Sequence, residues 1–349
     1  MKKLLCLLAA AAFGISLLSG AVCSRAVASV AFQAEPGRVT LPADAQVDGI
    51  LAGWSATVGD EKIFLAPGAE YTAQQRVEFT PVSVRMSMTG AFIRTQSPAG
   101  LRFTTRVMAQ DYQSLKASAA AFHFGTLIAP TDSIGSSFTA EALAQAGEAH
   151  LQAKTTVWQT IRAAERTYTA VLADLKESNY NRYFSAVPYI EITYTDGHTQ
   201  TLYGSYDPQV QSAAAYPLAA DALGQMQGYT EAERSVFQLY YDRVGVDLLL
   251  PPAAAGEAPQ AALYRTPGAR YGVWTDWVCQ FVEPMHEIFQ NDFGYQATIT
   301  VTPAAGASFS ENTKLYLNGE PLTQGYSFDE KGRLIIIKRY ALGNYTWAY

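Results

Sequence analysis

The sequence predicts a mainly β chain with helical insertions, and three observations carry that prediction. Short alternating runs of apolar and polar residues, rich in Val, Ile, Thr and Tyr, recur along the chain between Gly, Pro, Asn and Asp. Tyr alone occurs 21 times, which suits pleated, half-buried surfaces. Asp196-Gly197 and Asn318-Gly319 are dipeptides that favour tight two-residue hairpins. Helical spacing is confined to a few stretches.

Composition sets the outer bounds. The 349 residues suffice for two or three modules, and 49% hydrophobic against 16% charged residues marks a folded chain with ample core. Net charge is −6 and the Lys and Arg residues are scattered, which excludes the clustered basic footprint of a nucleic-acid binder. Residues 1–28 read as a secretory signal peptide. Lys2 and Lys3 precede the apolar run Leu4 to Leu18, and Ala26-Val27-Ala28 offers the cleavage site. Cys23 is the alternative, as a lipidated residue, but Val22 before it is larger than a lipobox wants. No later stretch is apolar enough for a transmembrane segment. Cleavage after Ala28 leaves Cys279 as the sole thiol, so no disulfide framework is expected and Cys279 reads as a buried small hydrophobe.

Residues 36–85 read as short strands between Pro and Gly turns, including Ile50-Leu51-Ala52-Gly53-Trp54-Ser55 and Val77-Glu78-Phe79-Thr80-Pro81-Val82. Trp54 is expected in the core, because one large aromatic supplies much of the burial in a small module. Gly53-Trp54, the turn Pro67-Gly68 and Tyr71 stand where the internalin-B-type repeat carries a strand ending in Gly-Trp and a Pro-Gly-x-x-Tyr turn. The segment resembles that repeat, which implies a small β-grasp module of the kind found on bacterial surface proteins.

Residues 86–228 are expected to form a central antiparallel β-sandwich-like domain, opened by a hairpin from Thr89 to Val107. With the loop placed at Gln96 to Gly100, Thr95 faces Leu101, Arg94 faces Arg102 and Ile93 faces Phe103. Ile93, Leu101, Phe103 and Val107 then share the apolar face, while Arg94, Arg102, Thr104 and Arg106 share the other. Opposed arginines repel and call for a counter-charge. Asp111, Asp132, Glu191 and Asp196 are the candidate internal partners. An anionic ligand on the two guanidiniums is the competing reading, and plain exposure to water the third.

Four stretches of this region are Gly90-Ala91-Phe92-Ile93-Arg94, Gly100-Leu101-Arg102-Phe103-Thr104-Thr105, Gly125-Thr126-Leu127-Ile128-Ala129-Pro130 and Asn179-Tyr180-Asn181-Arg182-Tyr183-Phe184. In order and spacing they resemble a domain repeated in large secreted proteins of anaerobic gut-type bacteria. That domain carries no assigned activity, so the resemblance implies a surface context and no catalytic residue. Strands are expected over 120–130, 155–175 and 183–206, with a short helix capped by Thr139 and another over 209–223.

Residues 229–290 are expected to be a helical segment with a Pro/Ala linker at Pro251 to Pro259. Thr230 with Glu233 three residues on has the spacing of a capping box. Tyr271, Trp274, Trp277, Phe281, Met285 and Ile288 recur at threes and fours, a helical stripe that Pro284 would interrupt. Residues 291–349 return to strands, at Ala297 to Val301, Lys314 to Leu317 and Leu334 to Lys338, and suggest a small immunoglobulin-like β module.

Catalytic signatures are sparse. There is no Gly-x-Ser-x-Gly elbow, no phosphate loop and no cysteine pair, and the four histidines are dispersed. Glu283, His286 and Glu287 lack the spacing that sets two imidazoles on one zinc. No cofactor and no metal are expected. The expected protein is therefore secreted or cell-surface associated and non-catalytic, binding extracellular polysaccharide or a surface protein. Arg94 and Arg102 are candidate ligand residues, as are Trp274 and Trp277 if an open loop presents them for stacking on sugar rings. Two alternatives stay open: an extracellular glycan hydrolase whose paired carboxylates are invisible in sequence, and a structural spacer.

Overall fold

The computed structural model describes residues 31–225, 228–305, 307–310 and 313–347. The expected signal peptide and Cys23 lie outside the described residues. Within them the chain is mainly β with helical insertions, as the alternation predicts.

The first module contains β1 (Phe32–Ala34), β2 (Gly37–Thr40), β3 (Ile50–Val58), β4 (Glu61–Leu65), β5 (Glu70–Ala73) and β6 (Val77–Val84). Four of these form an antiparallel sheet in the order β1-β6-β3-β4, and β2 pairs with β5 beside it. In β6, Val77 and Phe79 point inward while Glu78 and Thr80 point out, the period-two pattern of a half-buried strand. Trp54 sits in the core at 1% exposure, and its indole N–H donates to the Pro42 carbonyl at 2.8 Å. That bond satisfies the one polar atom the ring would otherwise bury unpaired.

The central module begins with β7 (Met86–Arg94) and β8 (Gly100–Met108), then α1 (Ala109–Ser118), β9 (Ala121–Pro130), α2 (Ala140–Gln145), β10 (Leu151–Lys154), β11 (Thr160–Ile161) and β12 (Glu165–Ala173). It continues through β13 (Phe184–Thr193), β14 (Thr199–Tyr203), α3 (Pro208–Gln211), β15 (Ser212–Ala213), α4 (Ala215–Gly224) and α5 (Glu231–Asp242). One sheet runs β10-β9-β13-β14 with β15 on β13, and the other runs β11-β12-β8-β7. The two are tied at Gly125, whose carbonyl accepts from the buried Tyr168 hydroxyl at 2.7 Å across the core. A Cβ on Gly125 would lie 2.3 Å from the ring of Tyr189, its partner on β13, so only glycine lets that ring cross the strand. Farther along, Arg182 grips Asp132 through two parallel bonds of 3.0 Å, and Thr131 N–H donates to the Tyr183 carbonyl at 2.9 Å. The stretches Gly125 to Pro130 and Asn179 to Phe184 are thus drawn together as architecture.

The expected helix over 209–223 is divided, because residues 212–213 pair with β13 before the helical spacing resumes in α4. Helix α5 carries the capping box read from the sequence: Glu233 N–H donates to the Thr230 hydroxyl, and Thr230 N–H donates to the Glu233 carboxylate at 2.9 Å. Phe237 and Tyr240 of α5 join Leu101, Phe103 and Ala219 in one core cluster. The expected break at residue 228 is therefore corrected, since α5 completes the central core.

The C-terminal module holds β16 (Val246–Leu249), β17 (Leu263–Tyr264), β18 (Tyr271–Cys279), β19 (Gly294–Pro303), β20 (Leu315–Leu317), β21 (Glu320–Pro321), β22 (Tyr326–Phe328) and β23 (Leu334–Ala341). Two sheets, β17-β16-β20-β21 and β18-β19-β23-β22, close on Leu248, Tyr271, Ile299, Leu317 and Ile336. Asn318 and Gly319 turn β20 into β21 with φ of 56° and 86°, the positive values of a type I′ turn. Two expectations fail here. Tyr271 to Cys279 is a strand, not a helical stripe, because Val273, Thr275 and Trp277 alternate with outward residues and nine residues pair with β19. The module also starts before 291: β16 pairs in parallel with β20, so the Pro/Ala stretch is a connection inside the module.

The modules are fused. Ala52, Phe64 and Val84 of the first share a core cluster with Val107, Leu115, Ile190 and Tyr194 of the second. Arg85, the residue between β6 and β7, donates from its backbone N–H, Nε and Nη2 to Asp111 of α1 at 2.8, 2.9 and 2.8 Å, and its Nη1 reaches Asp48 of the first module at 3.0 Å. We expect Arg85→Ala to destabilise the protein by about 3 kcal/mol, since it leaves the buried Asp111 carboxylate without its cation. The shift of the urea midpoint measures this, and an unchanged midpoint would contradict it.

Candidate functional site

Two surfaces carry chemistry, and the first is the hairpin of β7 and β8. The turn sits one residue earlier than the loop placement assumed: β7 ends at Arg94 and β8 begins at Gly100, leaving Thr95 to Ala99 as the turn. Ile93 consequently pairs with Leu101, Phe92 with Arg102 and Arg94 with Gly100. From Ala91 to Arg94 each partner has moved by two residues, so these side chains keep their faces and only the opposition changes, while a register shift between Met88 and Ala91 offsets the earlier part of β7. The direct Arg94–Arg102 pairing is corrected to a diagonal one, about 7–8 Å between strands.

The expected internal partners are engaged elsewhere. Asp111 holds Arg85, Asp132 holds Arg182, Glu191 receives Lys154 at 3.0 Å, and Asp196 accepts from the His198 backbone N–H at 2.9 Å. Among the described residues neither Arg94 nor Arg102 makes a salt bridge. Arg94 donates to the Ser97 carbonyl at 3.2 Å, and the buried Nε of Arg102 has no hydrogen-bond partner. Both side chains line a cavity of about 450 Å³ between the hairpin and the two helices α4 and α5, with Phe92, Asp221, Tyr229 and Glu233 around it. Phe92 was legible, because strand alternation places it on the arginine face. The helical residues were not, because nothing local links them to β7.

The second surface is the outer face of the sheet β18-β19-β23-β22. Trp274 stands out of it at 72% exposure, opposite Thr300, with Asp276 opposite Thr298 and Val278 opposite Gln296 along the same strand pair. Ile335, Ile337 and Arg339 continue the face on β23, and Arg339 Nε donates to the Gln296 side chain at 3.1 Å. Just past the end of β18, Phe281 is 88% exposed with φ of 64°, a backbone region that bulky residues rarely occupy. The spacing of threes and fours places Phe281 within a helical stripe, which the strand of β18 replaces.

Trp277 belongs elsewhere. Residues three apart on a strand lie on opposite faces, so Trp277 turns inward against Phe289 and Tyr340. Its indole N–H donates to the Gln260 carbonyl at 2.8 Å. Trp277 is thereby removed from the candidate ligand residues, and Trp274 remains. The remaining acid and imidazole groups do not converge: Glu283 and Glu287 are exposed, while His286 bonds the buried Tyr295 hydroxyl at 2.9 Å. Among the described residues no three His, Cys, Asp or Glu side chains form a metal-binding group. Burial pushes the Cys279 thiol above its ordinary pKa, which disfavours the reactive thiolate.

These positions separate cleanly by substitution. Trp274→Ala should leave the melting temperature unmoved, whereas Trp277→Ala should cost about 2–4 kcal/mol in denaturant unfolding. Equal effects of the two would contradict the strand assignment. The Glu233 carboxylate is held below its ordinary pKa by the Thr230 backbone and hydroxyl donors. Its stabilisation is therefore present above the unfolded-state pKa and lost as pH falls through the lower folded value. Glu233→Gln should remove that portion of the acid-side pH dependence of stability, and an identical stability profile in the variant would overturn the assignment.

Compared with protein-family models, with curated proteins and with solved structures, the chain matches none.

Proposed function

We propose that the protein is a secreted or surface-associated, non-catalytic binding protein whose C-terminal sheet face holds an extracellular polysaccharide. Trp274 carries the reading: a large ring stands uncovered on a pleated surface whose neighbours are hydroxyl, amide and carboxylate groups. An indole face packs on the C–H side of a pyranose, while Thr298, Thr300, Gln296 and Asp276 offer donors and acceptors to its hydroxyls. The sheet supplies that surface ready-made, so binding would order little of the protein. Secretion rests on the leader-like run at Leu4 to Leu18 and the cleavage site at Ala28.

Screening the mature chain on a glycan array, followed by titration calorimetry on the best polysaccharide, tests this reading. Saturable binding that weakens about tenfold in Trp274→Ala would support it. Absence of binding to every glycan, or equal binding by the variant, would overturn it. Release of new reducing ends from the same panel would favour the hydrolase.

A further inference from the structure

We propose a second site, for a carboxylate or sulfate group carried on a ring-bearing ligand, in the cavity between the β7–β8 hairpin and the helices α4 and α5. It lies in the central module and does not depend on the sheet face of Trp274.

The starting point is an electrostatic imbalance. Arg94 and Arg102 occupy diagonal positions on one face of the hairpin, both partly covered, and among the described residues neither is joined to a carboxylate. Like charges so placed repel. The buried Nε of Arg102 has no hydrogen-bond partner, and a covered donor left unmade carries a desolvation cost. A bound anion would relieve the repulsion between the two guanidiniums and compensate the charge of the partly buried Arg102.

The cavity has the dimensions and the walls for such a group. About 450 Å³ falls within the range of small-ligand pockets. Phe92 and Tyr229 give it aromatic surfaces, both more than one-third exposed, against which a ring can lie. Two carboxylates also line it. Glu233 is committed to the Thr230 backbone N–H and hydroxyl, both at 2.9 Å. Asp221 is exposed and forms no salt bridge among the described residues. Their placement opposite the arginines gives the site a polarity, with the acid group of the ligand directed to β7 and β8 and its hydroxyls to the helices. Guanidinium pairs suit this role because planar N–H donors match two oxygens of one carboxylate or sulfate.

The test is calorimetric titration of the mature chain with oligogalacturonate, which carries carboxylates, with κ-carrageenan oligomers, which carry sulfates, and with neutral galactan oligomers. We expect one or both acidic probes to bind, which of them binds identifying the group, and the neutral probe not to bind at this site. Arg94→Ala and Arg102→Met should each weaken that binding roughly tenfold to a hundredfold, the worth of one or two charge-assisted bonds, and raised salt should weaken it further. Trp274→Ala should leave it unchanged, which separates this site from the proposed polysaccharide face. Arg102→Met keeps the aliphatic stem against the strand. Should it fail to fold, Arg94→Ala decides alone, since Arg94 lies at the hairpin tip. Binding of neither acid, or undiminished binding by Arg94→Ala, would overturn the proposal.

Discussion

The arrangement of the first two modules depends on Arg85. Its backbone N–H and two of its guanidinium nitrogens converge on one buried carboxylate, Asp111, which is 7% exposed, while its third nitrogen reaches back to Asp48. Both acids are needed in that place because the residue sits where β6 ends and β7 begins, the single covalent crossing between two sheets. Asp111 also stands in the first turn of α1, where a negative charge meets the positive end of the helix. One carboxylate thereby anchors a strand junction and a helix start together.

Around that crossing the two cores run into each other. The Tyr194 hydroxyl donates to the Ala52 carbonyl at 2.8 Å, and Thr195 and Phe64 exchange two further bonds of 2.8 and 3.0 Å. Burial pushes the Tyr194 phenol above its ordinary pKa, which extends to higher pH the range over which the hydroxyl is a neutral donor. The second junction follows the same logic with different groups. Glu177 accepts from Arg243 at 3.1 Å and from the Lys314 backbone at 3.3 Å, and Arg270 stacks over Tyr216 while donating to the Tyr241 carbonyl at 2.7 Å. Both junctions use buried or stacked ionic groups rather than flexible tethers. Candidate binding faces on different modules are therefore held in a set relation.

How much of the candidate sites could be read beforehand depended on what each residue needed. The arginine face of the hairpin was readable because alternation alone separates Arg94 and Arg102 from Leu101 and Phe103. Their lack of an acid partner was not, because it depends on Asp111, Asp132 and Glu191 being claimed by cations distant in sequence. Trp274 and Trp277 make the same point more sharply. A spacing of three fits a helical stripe as well as it fits opposite sides of a strand, and only pairing with β19 decides between them.

The local code was sufficient for the strand-rich class, for the Thr230–Glu233 capping box, for the Asn318-Gly319 turn and for the burial of Trp54. Each is set by residues within a few positions of one another, through pleat, cap or backbone freedom. Long-range structure alone decided the two-residue move in the hairpin pairing, the strand at Tyr271 to Cys279, the start of the last module at β16 and the cavity over the arginines. Those features arise where separate segments compete for one sheet or one core, as β18 and β19, β16 and β20, or Leu101 and Phe237 do. Periodicity records which face of a segment is apolar; only the packed chain determines what covers it.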